Sequence, residues 1–128
     1  MFIKCTKGDS KKLLNINEID TVYLASGVTD LRKSIDGLMV IIKMELKLDP
    51  YEKALFVFCN RQMNKLKVLH FDNGFWLYYY RLEENKFKWP MTKDEALKVD
   101  VDELKWLLKG YEVRTTSKFK SVKGRKYF

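Results

Sequence analysis

Histidine and cysteine are almost missing from this chain, which carries only His70, Cys5 and Cys59 in 128 residues. That poverty excludes zinc-finger ligand sets, and no CxxC pair is present. A disulfide between Cys5 and Cys59 is not expected, because nothing in the sequence reads as an export signal. The first residues, MFIKCTKGDSKKLL, hold early lysines but no apolar run of signal-peptide length, and no membrane-spanning run occurs elsewhere. A cytoplasmic protein with no membrane partner is expected. Phosphate-binding loops of the GxxxxGKS type, GxSxG elbows, HExxH helices and GxGxxG turns are also missing. The acids that do occur near one another, Asp30 with Asp36 and Glu83 with Glu84, fit a helix face and a turn, and no arrangement in the sequence singles out the three that a metal-dependent nuclease would need. No catalytic residue, metal or cofactor is therefore expected, and a nucleic-acid enzyme is the weakest of the functional readings.

Lysine, arginine and aromatic residues are what the chain has in quantity. The formal charge is +8, with 46% hydrophobic and 14% aromatic residues, enough for one buried core. Arg114, Lys118, Lys120, Lys123, Arg125 and Lys126 put six of those charges in a tail without a single acid, which leaves +2 for residues 1–113. Two units are expected: a globular domain over 1–113 and a basic, flexible tail over 114–128. Such a tail serves either as a nucleic-acid contact or as a solvated end.

Val22 to Ala25 predicts a short strand closed by Ser26-Gly27. A long helix follows, capped by Thr29 or Asp30. Its buried face is Leu31, Ile35, Leu38, Ile42 and Leu46, at steps of three and four. Gly37, Ile41, Met44 and Leu48 form a second apolar line, with Arg32 and Asp36 one turn apart on the polar strip. Gly37 predicts the close approach of a neighbouring element, and Asp49-Pro50 ends the helix.

The region from Leu55 to Pro90 interleaves rings with cations. Ala54 to Cys59 is apolar on both faces and predicts a covered strand. Asn60 to Asn64 predicts a loop, Lys65 to Phe71 a strand, Asp72-Asn73-Gly74 a tight hairpin turn, and Phe75 to Leu82 a third strand. Glu83-Glu84-Asn85 predicts another turn into a fourth strand, Lys86 to Trp89, ended by Pro90. Asp100 and Glu103 form a capping box for a short helix with Leu104, Leu107, Leu108 and Tyr111 as its stripe, closed by Gly110. The fold class is α+β, a single domain in which an antiparallel meander of four to five strands packs against one long and one short helix.

The string VYLASGVTDLRKSIDGL, then LFVFCNRQMNKLKVLHFDNGFWLYYYRLEENKFKWP, then LKWLLKGYEV, resembles in collinear order the TnpB or Orf2-like accessory proteins of the IS66 class of bacterial insertion sequences. The resemblance covers residues 21 to 113. It rests on Thr29-Asp30-Leu31-Arg32-Lys33 with Asp36-Gly37-Leu38, on Leu55 to Phe58 with Arg61, Lys65, Leu66 and Lys67, on Asp72 and Gly74, and on Tyr80-Arg81-Leu82 with Phe87 to Pro90. Ser34 stands where many relatives have glycine, and His70-Phe71 where an aromatic pair is common.

The resemblance implies a non-catalytic helper in transposition, encoded beside a separate transposase. Its expected partners are the element's DNA, the transposase and a sibling accessory protein. The candidate contacts are Arg32 and Lys33, then Arg61, Lys65, Lys67 and Arg81, which suit phosphates or an acidic protein patch. Lys118, Lys120, Arg125 and Lys126 in the tail extend the set. Tyr78 and Tyr80 supply either stacking surface or core, whereas Trp76 and Phe58 are expected in the core. The alternative function is a protein-interaction adaptor with no DNA binding of its own.

Overall fold

A computed structural model describes residues 2–4, 13–15, 19, 21–92 and 95–112. Two short strands, β1 (Phe2–Lys4) and β2 (Leu13–Asn15), pair antiparallel as a separate ribbon. The main sheet has five strands, β3 (Val22–Ala25), β4 (Leu55–Cys59), β5 (Lys65–Phe71), β6 (Phe75–Arg81) and β7 (Ala96–Val99), in the order β6-β5-β4-β3-β7.

Only the β4-β5-β6 portion is a meander. β3 lies parallel to β4, with Val22 opposite Leu55, and antiparallel to β7 on its other side. The sheet is therefore mixed rather than an antiparallel meander. The reason is the helix between β3 and β4, which carries the chain back so that both strands start from the same end. Lys86 to Trp89, expected as a strand, pairs with none. Asn85, at φ 68°, turns the chain, and the Phe87 N–H donates to the Met63 carbonyl at 2.7 Å, so the segment crosses the end of the sheet. Its alternation is real: Phe87 and Trp89 are buried while Lys86 and Lys88 are exposed. The indole of Trp89 donates to the Ala25 carbonyl at 3.0 Å, tying the segment down.

Each face of the sheet has its own core, because β4 is buried along its whole length. On one face Leu24, Val57, Val68 and Tyr78 pack with Phe87, Trp89 and the apolar stripe of α2 (Val101–Leu108). On the other, Phe56, Phe58, Leu69 and Leu77 pack with Leu38, Ile41 and Ile42. Those last three belong to α1 (Ile35–Val40) and the π-helical turn Ile41–Glu45 that continues it. The helix is shorter than its apolar pattern. Leu31 and Leu48 pack against this core from outside it, whereas Val40 and Met44 are exposed.

Local chemistry explains the late start. The Asp30 carboxylate, expected as a helix cap, accepts from the backbone N–H and the guanidinium of Arg32, and Ser34 takes the capping position without a side-chain bond. Arg32 thus pairs with Asp30 at 2.7 Å, not with Asp36. Nor does Gly37 mark a neighbouring element: a Cβ there would meet the aliphatic stem of Lys33, at 3.1 Å.

The second helix starts as expected. Asp100 accepts from the Glu103 N–H at 2.8 Å, and Glu103 accepts from the Asp100 N–H at 3.1 Å. Asp100→Ala should cost about 1 kcal/mol, read as a lower urea midpoint at unchanged m-value. Tyr111, assigned by spacing to the buried stripe, is 61% exposed, because Gly110 at φ 93° ends the helix before it.

Candidate nucleic-acid interface

Three connections meet at the end of the sheet where β3 and β4 finish. The Thr29 N–H donates to the Cys59 carbonyl at 2.8 Å, and the Leu82 N–H to the Asn64 carbonyl at 2.8 Å. The loop 60–64 is thereby held from both sides, and Asn60 holds it from within. Its Oδ1 accepts from the N–H groups of Asn64 and Lys65 at 3.0 and 2.9 Å, and its Nδ2 donates to Gln62 and Asn64 at 3.1 and 2.8 Å. Arg61 is exposed on this braced loop.

Strand register assembles the rest. Lys65 lies opposite Arg81 and Lys67 opposite Tyr79, so these four share the sheet face that α1 packs against. The Lys67 ammonium donates to the Lys33 carbonyl at 3.2 Å, which fastens the segment before α1 to the sheet and brings Lys33 into the group. Like charges directly opposite on two strands destabilise a sheet. Glu83 answers Arg81, its Oε2 at 2.9 Å from the guanidinium Nε. Among the described residues no ion pair answers Lys33, Arg61, Lys65 or Lys67.

The end is net basic. Segments 26–36, 60–67 and 79–90 with Glu95, whose carbonyl accepts from the Ser26 N–H, carry eight Lys or Arg against five Asp or Glu, whereas segments 43–54, 70–75 and 98–103 at the opposite end carry four against seven. Two of the basic end's carboxylates are occupied by arginines. The guanidinium of Arg32 hydrogen-bonds Asp30 and holds that carboxyl well below the usual carboxylate range, so the pair stays charged and closed on itself. Arg32 is 90% exposed in its side chain, so its outer face remains open to a phosphate.

The tyrosines separate. Tyr78 is fully buried in the α2-side core, which removes it from any contact surface, and Tyr80 on the same face is half-buried with its ring 6.0 Å from Phe87. Both therefore lie across the sheet from the lysines. Tyr79, half-buried beside Lys67 and Arg81, takes the position they were considered for. Counting back from the Asn73-Gly74 turn would have found it, since a Phe71–Phe75 pair forces Lys67 opposite Tyr79. Phe58 is in the α1-side core as expected, and Trp76, on the other face, is half-buried against the α2-side core. Lys118, Lys120, Arg125 and Lys126 lie outside the described residues, as do Cys5 and the rest of the tail.

Nucleophilic chemistry finds little to use. Burial pushes the Cys59 thiol up to about 12, so it is neutral near pH 7 and enclosed. His70 is buried and its Nδ1–H donates to the Ala54 carbonyl at 3.1 Å. Among the described residues no three of His, Cys, Asp and Glu lie together as metal ligands, and no helix is long and apolar enough to cross a membrane.

Comparison with known proteins gives these residues a setting. The chain is similar to two uncharacterized proteins of Sinorhizobium fredii (strain NBRC 101917 / NGR234). One, y4hO, is 35% identical over 94 residues, covering 73% of this chain and 82% of the relative. The other, y4jC, is 32% identical over 92 residues, covering 71% and 79%. No solved structure matches. The family model described as IS66 Orf2 like protein matches residues 20–118, which span the braced loop, the paired lysines and both helices, and the chain belongs to that family of insertion-sequence accessory proteins.

Proposed function

We propose that this protein is a non-catalytic accessory factor of transposition that holds the element's DNA through its basic end, while a separately encoded transposase carries the chemistry. The observation that carries this reading is that Lys33, Arg61, Lys65 and Lys67 lie at one end of the sheet, where among the described residues no ion pair answers them. Placing like charges together costs stability, and a polyanion would offset that cost. Tyr79 and Arg32 flank the group as a ring and a guanidinium fork for sugar and phosphate. The contacts available are to the backbone of the duplex, so affinity should greatly exceed sequence selectivity. The tail adds six cations to the same polypeptide. The transposase and the sibling accessory protein are the proposed protein partners.

A salt-titrated binding assay on duplex carrying the element's terminal repeats, with and without purified transposase, tests the reading. Four phosphate contacts predict a slope of log K on log salt of about −3 to −4, and the tail steepens it. Duplex binding that ignores salt, with transposase co-purification surviving high salt, would replace this reading by the adaptor that touches only protein.

A further inference from the structure

The acidic end of the sheet carries an aromatic cluster at the margin of the α1-side core, against which its Phe75 packs. Tyr51, in the connection before β4, is 54% exposed. Its ring centroid lies 5.0 Å from that of Phe71 in edge contact and 5.2 Å from that of Phe75, and those two are 5.0 Å from each other. Phe71 and Phe75 are half-buried and flank the β5–β6 turn, so three rings meet at one corner with the tyrosine outermost. Carboxylates lie close by in the chain. Asp49 accepts from the Tyr51 N–H at 2.9 Å, which fixes its carboxylate at the Tyr51 backbone, and Asp72 follows Phe71. Glu52 is occupied, accepting from the Tyr23 hydroxyl at 2.9 Å. Lys47 and Lys53 are the cations nearest in sequence, yet the end as a whole carries seven acids against four lysines.

We infer that this corner docks an arginine-bearing, basic segment of a partner protein. Aromatic faces attract a guanidinium through the ring quadrupole, and a carboxylate at the ring's edge can take the same group's N–H donors in a fork. DNA is disfavoured here by the surrounding negative charge. The protein would then be two-ended, with polyanion at the lysines and a cationic protein segment at the rings. This inference is independent of the DNA reading, because the lysines and the ring cluster lie at opposite ends of β5 and β6.

Fluorescein-labelled hexaarginine and hexalysine, titrated into the full chain at low salt and read by anisotropy, form the probe. Hexaarginine should bind tighter than hexalysine by about two- to fivefold, the size of one exposed ring–guanidinium contact. Tyr51→Leu, which keeps apolar cover over Phe71 and Phe75, should abolish that preference, and Tyr51→Phe should retain it. Asp49→Asn, which preserves the acceptor for the Tyr51 N–H, should weaken both peptides. Glutamate at Lys65 and Lys67 should leave the arginine preference unchanged, which separates this surface from the DNA reading. Equal binding of the two peptides, or a preference surviving in Tyr51→Leu, overturns the proposal. So does sedimentation showing the wild type self-associated and Tyr51→Leu monomeric, since the occupant is then a second copy.

Discussion

Replacing Lys65 and Lys67 together by glutamate should lower duplex affinity at 0.1 M salt by about 10- to 100-fold and flatten the salt slope by about 2. Each lysine removed stops releasing one counterion from the duplex, and each glutamate added repels the phosphates it faces. Fold damage should be small, because both side chains are half-exposed and Lys65 opposes Arg81 across the strands. A glutamate at position 65 would face that arginine with opposite charge. The bond from the Lys67 ammonium to the Lys33 carbonyl is lost as well, so thermal melting must accompany the assay. Unchanged affinity with an intact melting curve would move the DNA contact away from this face altogether.

Phe58→Ala should be the most damaging single change in the domain, at about 3–5 kcal/mol. The ring is fully buried on β4, in the core formed with Leu38 and Ile42. Truncation removes its transfer energy and leaves a cavity between two elements that cannot both close on it. For a domain of this size such a loss is a large part of total stability, so the variant should unfold at a urea concentration far below wild type. A midpoint within experimental error of the wild type would show that the α1 side is loosely packed. The variant also serves the DNA assay as a control, since its lesion lies one residue from Cys59 and two from the braced loop yet alters no charge.

Much of this architecture is legible in the residues because period and turn chemistry agree. The doubly apolar run Leu55 to Cys59 had to be covered on both sides, and the Asn73-Gly74 turn, with Asn73 at φ 63°, fixed the β5–β6 register. The capping box of Asp100 and Glu103 needed no tertiary partner. What misled was alternation read as pairing. Phe87 and Trp89 alternate with lysines because one side of their segment faces a core, and burial alone writes that pattern without any ladder. Ala96–Val99 has too little periodicity in four residues to announce a strand, and it pairs with β3 across 71 to 77 positions. The helix was overdrawn because Leu31 and Leu48 keep the stripe's spacing from outside it.

The candidate surface was half legible. Arg61, Lys65, Lys67 and Arg81 could be named from the alternation of cations with apolar residues, but which tyrosine joined them depended on parity across the hairpin, a one-residue matter that moves a ring to the other face. Lys33 joins the group through a side chain to backbone bond spanning 34 positions. No local pattern encodes such a bond.

The strand order also constrains when the domain can be finished. β4, β5 and β6 follow one another over residues 55–81 and can zip as neighbours, whereas β3 waits for β4 across the intervening helix and then for β7 on its far side. Such distant closures slow folding. A chain still on the ribosome can therefore pair its lysine-bearing hairpin while the sheet's other margin stays open, and that margin can be sealed only after Val99 has left the exit tunnel.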